Sequence, residues 1–240
     1  MLTLAFDAGG DDGTDYMTVA GFASSATDWD SFTARWKARL AKDRIEFFRT
    51  VHANSCRGPF KHWRELSDRE QNEKRKHLFR DLMDIINCHV YQKFSCTIVN
   101  KDYASTNNEA RQEFAESAYS LAARTCEKHA RYWQMHDPYW RSCRNMKVAA
   151  IFERGDGGQD EGKLRERLRE DYGHIPPNFR LKRDTEREDG QIESGFVPLQ
   201  AADWLAWEIN RAIRNFYTGK IHSESDMRQP MQQFLSRPSP

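Results

Sequence analysis

The stretch MKVAAIFERGD at residues 146–156 constrains the fold more than any other part of the sequence. Its apolar residues follow one another instead of alternating with polar ones, which is typical of a strand that is covered on both faces. A second apolar run, at residues 2–7, also ends on an acid beside glycines. The two runs predict buried strands of a mixed α/β domain with helical insertions.

Residue patterns elsewhere predict that strands and helices are intermixed along the chain. Further strands are expected at residues 16–23, 89–99 and 179–184. Apolar residues three and four apart predict helices at residues 27–42, 67–87, 108–133, 159–173 and 198 to about 217. Ser67 and Glu70 have the spacing of a capping box. Residues 44–66 are expected to be irregular.

Length and composition predict one sizeable core. The chain has 240 residues, of which 38% are hydrophobic and 12% aromatic. We expect a single domain over residues 1–220 and a C-terminal tail over residues 221–240. The 37 basic residues nearly balance the 36 acidic ones. This balance excludes a uniformly basic surface of the kind that coats duplex DNA, although local basic faces remain compatible with it.

Cysteine usage and the lack of long apolar runs predict a cytoplasmic protein without a membrane span. The five cysteines include no C-x-x-C pair, which argues against a disulfide framework and against a Cys-rich zinc site. No apolar run approaches the roughly 18 residues that a membrane span needs. The first residues lack the basic and long apolar regions of a secretory signal.

Acidic residues lie where regular elements would hold them rigidly. Asp7 ends the first apolar run, and Glu153 ends the run at residues 146–153, with Asp156 in the glycine-rich loop that follows. Asp203 lies in the first turns of the last helix, beside the apolar stripe. That stripe consists of Leu199, Ala202, Ala206, Ile209, Ile213 and Phe216. Carboxylates gathered without a metal ion would repel one another, so their convergence predicts a bound cation.

Each acid also has an ordinary structural interpretation. Asp7 could be a turn residue of a hairpin, and Asp203 could interact with the dipole of its own helix. The loop after Glu153 could be a simple turn. The functional interpretation is favoured because three separate elements, in the right chain order, each supply an acid.

Three short motifs carry a family resemblance. FDAGGDDG near the start, TVHANS at residues 50–55 and PLQAADWLAW near the end resemble the signatures of domain-of-unknown-function family 3800, an uncharacterised bacterial and phage family. That family has an N-terminal strand with Asp-Glu-Ser-Gly, a His-Ala dipeptide and a C-terminal Gln-x-x-Asp helix. The resemblance implies a ribonuclease H-like mixed sheet flanked by helices, in which acids from the first strand, a central strand and the last helix converge on divalent metal ions.

The resemblance assigns roles to individual residues. Asp7 matches the acid of the first strand, Gln200 and Asp203 match the helix motif, and Glu153 or Asp156 would be the acid of the central strand. Ala8 and Gly9 depart from the family, which has Glu and Ser at these positions. Asp11 or Asp12 in the loop could supply the missing carboxylate.

Histidines give weaker signals. His52 matches the family histidine, and beside Asn54 and Arg57 it could assist proton transfer near a leaving group. A structural role fits His52 equally well. Cys126 and His129 have a ligand-like spacing on a helix, but without a second pair a core role is favoured.

The resemblance, together with these acids, implies a nuclease or related phosphodiester hydrolase that depends on Mg²⁺ or Mn²⁺. Asp7, Glu153 and Asp203 would be the catalytic acids and, with Asp156 as an alternative, the metal ligands, while His52 would be auxiliary. Two divalent ions can supply a hydroxide nucleophile and stabilise the leaving oxygen, and hard cations select oxygen ligands.

Nucleic acid is the expected partner. Arg and aromatic residues interleave at residues 34–40, 131–133 and 139–144, and such segments can hold phosphates and stack on bases. In any one segment the aromatic residues could equally belong to the core. Two other functions stay open: a catalytically decayed nucleic-acid- or protein-binding module of a mobile-element or phage-defence system, and a hydrolase of a small phosphorylated metabolite.

Overall fold

A mixed five-stranded sheet lies at the centre of the computed structural model, which describes residues 1–10, 14–109, 111, 117–138, 144–155, 161–172 and 177–236. The strands are β1 (Leu2–Gly9), β2 (Tyr16–Ser25), β3 (Gln92–Val99), β4 (Val148–Glu153) and β5 (Asn178–Arg180). Their order is β3-β2-β1-β4-β5. β1 pairs antiparallel with β2 and parallel with β4, and β4 pairs parallel with β5. β1 and β4 therefore end at the same edge of the sheet.

Helices connect and cover these strands. They are α1 (Ala26–Lys42), α2 (Thr50–Ser55), α3 (Asp68–His89), α4 (Asn100–Ser105), α5 (Ala118–His136), α6 (Glu161–Tyr172), α7 (Pro198–Tyr217) and α8 (Gln229–Ser236). A 3₁₀ helix spans Gly58–Glu65, and a small hairpin consists of β6 (Thr185–Glu186) and β7 (Ile192–Glu193). No helix in the described part of the chain combines the length and apolar character that crossing a membrane requires.

Two apolar cores cover the two faces of the sheet. Because side chains alternate along a strand, Leu4 and Phe6 of β1 point to one face, whereas Ala5 and Asp7 point to the other. The first face packs against α5 and α6. The second packs against α1, α3 and α7, and this core contains Trp36. The predicted mixed α/β class, with helices flanking a mixed sheet, is confirmed.

Two local predictions need correction. Residues 44–66 are only partly irregular, since they contain α2 and the 3₁₀ helix. Such short helices depend on tertiary contacts that a periodicity cannot reveal. The expected single helix at residues 108–133 is interrupted at Ser117, whose extended backbone and side chain cap the start of α5. In contrast, the capping box of Ser67 and Glu70 is present with both of its hydrogen bonds.

The apolar stripe predicted for α7 is wrong in its second half. Phe216 is 58% exposed, and Ile209 and Ile213 are only half-buried. In the first half of α7, burial extends almost around the helix and includes Ala201, Trp204 and Leu205. This part lies between the sheet and the aromatic side chains of α3 and α8, so its buried surface is wider than one stripe.

The glycines after Asp7 let β1 run close against α7. A Cβ atom at Gly9 would lie 2.8 Å from the backbone oxygen of Ala206, and Gly10 has a φ of +91°, in the left-handed region that favours glycine. The amide nitrogen Nδ2 of Asn210 donates to the backbone oxygens of Gly9, at 3.0 Å, and Tyr16, at 2.9 Å. These contacts fasten the end of the first hairpin to the last long helix.

Candidate functional site

The ammonium group of Lys182 lies among three carboxylates. Its Nζ atom is 2.9 Å from Oδ2 of Asp7, 2.5 Å from Oε2 of Glu153 and 3.0 Å from Oδ1 of Asp203. The acids belong to β1, β4 and α7, and Lys182 follows the end of β5. The lysine side chain is 8% exposed. Four distant parts of the sequence thus meet in one charged cluster near the carboxyl ends of two parallel strands, where α/β sheets commonly bind ligands.

Asp203 joins this cluster to helix α2. Its Oδ2 accepts hydrogen bonds from the backbone nitrogen and the hydroxyl of Thr50, both at 3.0 Å. Its Oδ1 faces Lys182 and lies 4.0 Å from Nε of Arg49. A carboxylate on α7 therefore caps the first turn of a different helix and holds the TVHANS segment beside the cluster.

Gln200 positions the backbone around the cluster. Its Oε1 accepts from Nε1 of Trp36 at 3.0 Å and from the backbone nitrogen of Phe48 at 2.8 Å. Its Nε2 donates to the backbone oxygen of Lys182 at 2.8 Å. Residues three apart share one face of a helix, so the Gln-x-x-Asp spacing lets Gln200 hold the main chain of Lys182 while Asp203 holds its ammonium group.

His52 lies next to Asp203 but outside the contacts of Lys182. Burial and the nearby Arg49 lower the pKa of its imidazole, while the Asp203 carboxylate acts in the opposite direction. Nδ1 of His52 is buried and, among the described residues, has no hydrogen-bond partner. Gly58, with a φ of +52°, packs against the ring so closely that a Cβ there would lie 2.7 Å from Nδ1. Burial and the positive neighbours thus favour the neutral form of the imidazole.

Three of the acids named from the sequence fall outside the described residues: Asp11, Asp12 and Asp156. Ala8 is described, and its side chain packs with the core on the α5 side of the sheet. Because neighbouring side chains of a strand point to opposite faces, the residue after Asp7 points away from the cluster. The departure from the family at this position therefore leaves the arrangement of Asp7, Glu153 and Asp203 intact.

The pKa of Glu153 is raised, because its carboxyl is buried and the cluster has more negative than positive charge. Burial raises the pKa of its carboxyl to about 8, and the Asp7 carboxylate acts in the same direction. The Lys182 ammonium opposes both effects. One ammonium group thus does not balance three carboxylates, and Glu153 holds a proton at neutral pH.

This protonation predicts a pH dependence for the metal-free protein. Between the ordinary pKa of 4.5 and the raised value of about 8, the folded protein holds a proton that the unfolded chain releases. The free energy of unfolding should therefore fall as the pH rises across this range, by at most about 1.4 kcal/mol per pH unit from this group. Glu153→Gln should remove this part of the slope in urea denaturation with a chelator present. The exposed control Glu73→Gln should retain it, and an unchanged slope in Glu153→Gln would contradict the assignment.

Three exposed arginines lie near His52. Arg49, Arg57 and Arg183 are exposed, and each lowers the pKa of His52 through its charge. The guanidinium of Arg183 lies 4.7 Å from the ring centre of Phe47. An acidic cluster with exposed arginines beside it has the charge distribution that suits a substrate with phosphate groups.

The tryptophans of the Arg-aromatic segments at residues 34–40 and 131–133 belong to the core. Trp36 is fully buried and Trp133 nearly so, whereas Tyr132 is exposed and stacks on His136. Residues 139–143 lie outside the described part of the chain. The predicted core role of Cys126 is confirmed, since it is fully buried.

Sequence reasoning missed Lys182, Thr50 and Arg49. Lys182 falls in the segment FRLKRD, where only a strand was predicted, and nothing local marks a lysine that will be buried. Thr50 and Arg49 precede the family histidine closely, but their spacing has no recognised pattern.

Comparison with known proteins leaves the family open. No protein-family model and no curated protein matches the sequence. The resemblance to family 3800 therefore rests on the three short motifs and their order. Within the described residues, no group of three or more His, Cys, Asp and Glu side chains has the arrangement of a metal site. Asp7, Glu153 and Asp203 are arranged around an ammonium group instead.

Proposed function

We propose that this chain is a divalent-metal-dependent nuclease or related phosphodiester hydrolase with a ribonuclease H-like fold. One observation carries the proposal: acids of the first strand, a central strand and the last long helix each place an oxygen within 3.0 Å of Nζ of Lys182. These are the three elements from which the family resemblance draws its metal ligands.

The chemistry of the three acids fits a hard divalent cation. Mg²⁺ and Mn²⁺ prefer carboxylate oxygens, and Asp7, Glu153 and Asp203 would hold them. The proton retained by Glu153 indicates that the cluster lacks positive charge. Bound ions would supply a hydroxide nucleophile and stabilise the leaving oxygen.

Other residues would bind and orient the substrate. Arg49, Arg57 and Arg183 present guanidinium groups that can contact phosphate oxygens without reading a base sequence. His52, neutral and beside Asp203, is available to accept a proton. A polymer with repeated phosphates suits a rim with several arginines, so nucleic acid is the preferred substrate class. The described cysteines are free thiols, which supports a cytoplasmic location.

Cleavage assays with matched variants test this function. Labelled single-stranded DNA, RNA, an RNA–DNA hybrid and free nucleotides are incubated with the protein and Mn²⁺, Mg²⁺ or EDTA. We expect cleavage with Mn²⁺ or Mg²⁺ that EDTA stops and that Asp7→Asn lowers by about a thousandfold, within the range of several kcal/mol that metal ions contribute. The exposed control Asp30→Asn should cleave normally. Cleavage that survives EDTA or Asp7→Asn would reject the metal-dependent mechanism, and cleavage of nucleotides alone would identify a metabolite hydrolase.

One observation favours a second candidate, a binding module without catalysis. Lys182 already gives Asp7, Glu153 and Asp203 a cation, so the cluster can be held together without metal. Such a module would bind nucleic acid or a protein partner, cleave nothing with either metal ion and gain no thermal stability from Mn²⁺.

A further inference from the structure

Lys182 places its ammonium group against all three acids. An ammonium group has three protons, and Nζ contacts one oxygen each of Asp7, Glu153 and Asp203 at 2.5–3.0 Å. The side chain is 8% exposed, and its backbone oxygen is fixed by Gln200 at 2.8 Å. The ammonium group is therefore the common partner of the three acids. The hydrogen bond from Gln200 to the Lys182 backbone fixes the main chain so that the ammonium group lies between them.

A metal ion bound by the same oxygens would need the position of this group. Each acid directs toward Nζ an oxygen that a cation would take, and Oδ2 of Asp203 is already occupied by Thr50. A divalent ion next to an ammonium in a cluster this buried would also be repelled strongly. Lysine and metal would therefore compete for these three oxygens.

We propose that Lys182 is an internal counter-ion that competes with the divalent metal, so that metal binding releases its ammonium group from Asp7, Glu153 and Asp203. This inference rests on the proposed metal-dependent function. It adds to that function a role for Lys182, which sets the concentration of metal ion at which the site is filled. Lys182 acts here as a positioning residue, because it aligns the acids while metal is absent and gives them up when metal binds.

Metal affinity of matched variants gives the first test. Mn²⁺ binding is measured by isothermal titration calorimetry on wild type, Lys182→Met, the exposed control Lys37→Met, and Asp203→Asn. Lys182→Met should bind Mn²⁺ at least about tenfold more tightly than wild type, since it removes the competitor; tenfold corresponds to about 1.4 kcal/mol. Lys37→Met should match wild type, and Asp203→Asn should lose the binding.

Chemical labelling of the wild-type protein gives a second test that needs no variant. An amine-acetylating reagent is applied with and without Mn²⁺, and acetylation at Lys182 is quantified by mass spectrometry. Labelling at Lys182 should rise when Mn²⁺ is present, while the exposed Lys76 should be labelled equally in both conditions.

The outcomes separate this inference from the proposed function. Mn²⁺ binding that Asp203→Asn abolishes, but with equal affinity in Lys182→Met and unchanged labelling of Lys182, would overturn the competition and leave the metal site standing. Binding by Lys182→Met alone would support the competition and identify the wild-type chain as a module whose lysine excludes metal. A lack of Mn²⁺ binding in both folded proteins would overturn the inference and the metal-dependent function together.

Discussion

Lys182→Met is expected to lower the free energy of unfolding of the metal-free protein by about 3–5 kcal/mol at pH 7. The substitution removes the common partner of Asp7, Glu153 and Asp203, of which Asp7 is 2% exposed and the other two are mostly buried. A buried charge without a partner is costly, and without the ammonium group the carboxylates of Asp7 and Asp203 also repel each other. Urea denaturation in the presence of EDTA measures the loss.

Lys37→Met is the matched control for this prediction. Lys37 pairs with Asp184 at 3.2 Å, but its side chain is 53% exposed, and exposed pairs contribute about 0–1 kcal/mol. Equal stability of Lys182→Met and wild type at pH 7 would mean that the ammonium group does not hold the acids together.

Trp204→Ala is expected to cost about 3–5 kcal/mol. Trp204 is fully buried, and its ring centre lies 4.9 Å from that of Phe79, 5.7 Å from Phe48 and 5.2 Å from Phe234. It therefore joins α7 to α3, to the segment before α2 and to α8. Removing the indole leaves a cavity that neighbours from so many elements cannot fill.

Trp207→Ala, on the same helix, is the control for this prediction. It tests whether the loss of stability in Trp204→Ala comes from core packing or from the removal of any aromatic side chain. Trp207 is half-buried and lies between the guanidinium groups of Arg211 and Arg228, each 5.1 Å from its ring centre. Cation–π contacts at such a site contribute about 0.5–1 kcal/mol each, so this variant should lose no more than about 2 kcal/mol. Similar losses in the two variants by urea denaturation would contradict the central role of Trp204.

The regular elements were predictable because local patterns determine them. The helices α1, α3 and α7 follow apolar periodicity, and the capping box of Ser67 marks the start of α3. The strands β1 and β4 follow from short apolar runs, each of which ends on or just after an acid. Chain order and a resemblance then selected Asp7, Glu153 and Asp203, which the structure brings together around one atom.

The rest depended on contacts between distant parts of the chain. Lys182 pairs with a carboxylate 175 positions away, and a lysine in a polar segment gives no local sign of burial. The helix α2 has six residues, and Asp203, 153 positions further along, caps its first turn. The exposure of Phe216 depends on where the sheet and α8 stop supporting α7, which periodicity does not encode.

The two carboxylate oxygens of Asp203 couple the charged cluster to helix α2. One oxygen belongs to Thr50 and the other faces Lys182, so the two cannot be perturbed independently. Any rearrangement of charge on the Lys182 side would pull on the first turn of α2, the same short segment that carries His52 and begins after Arg49. Changes of charge at the sheet edge would in this way be transmitted to His52 and Arg49.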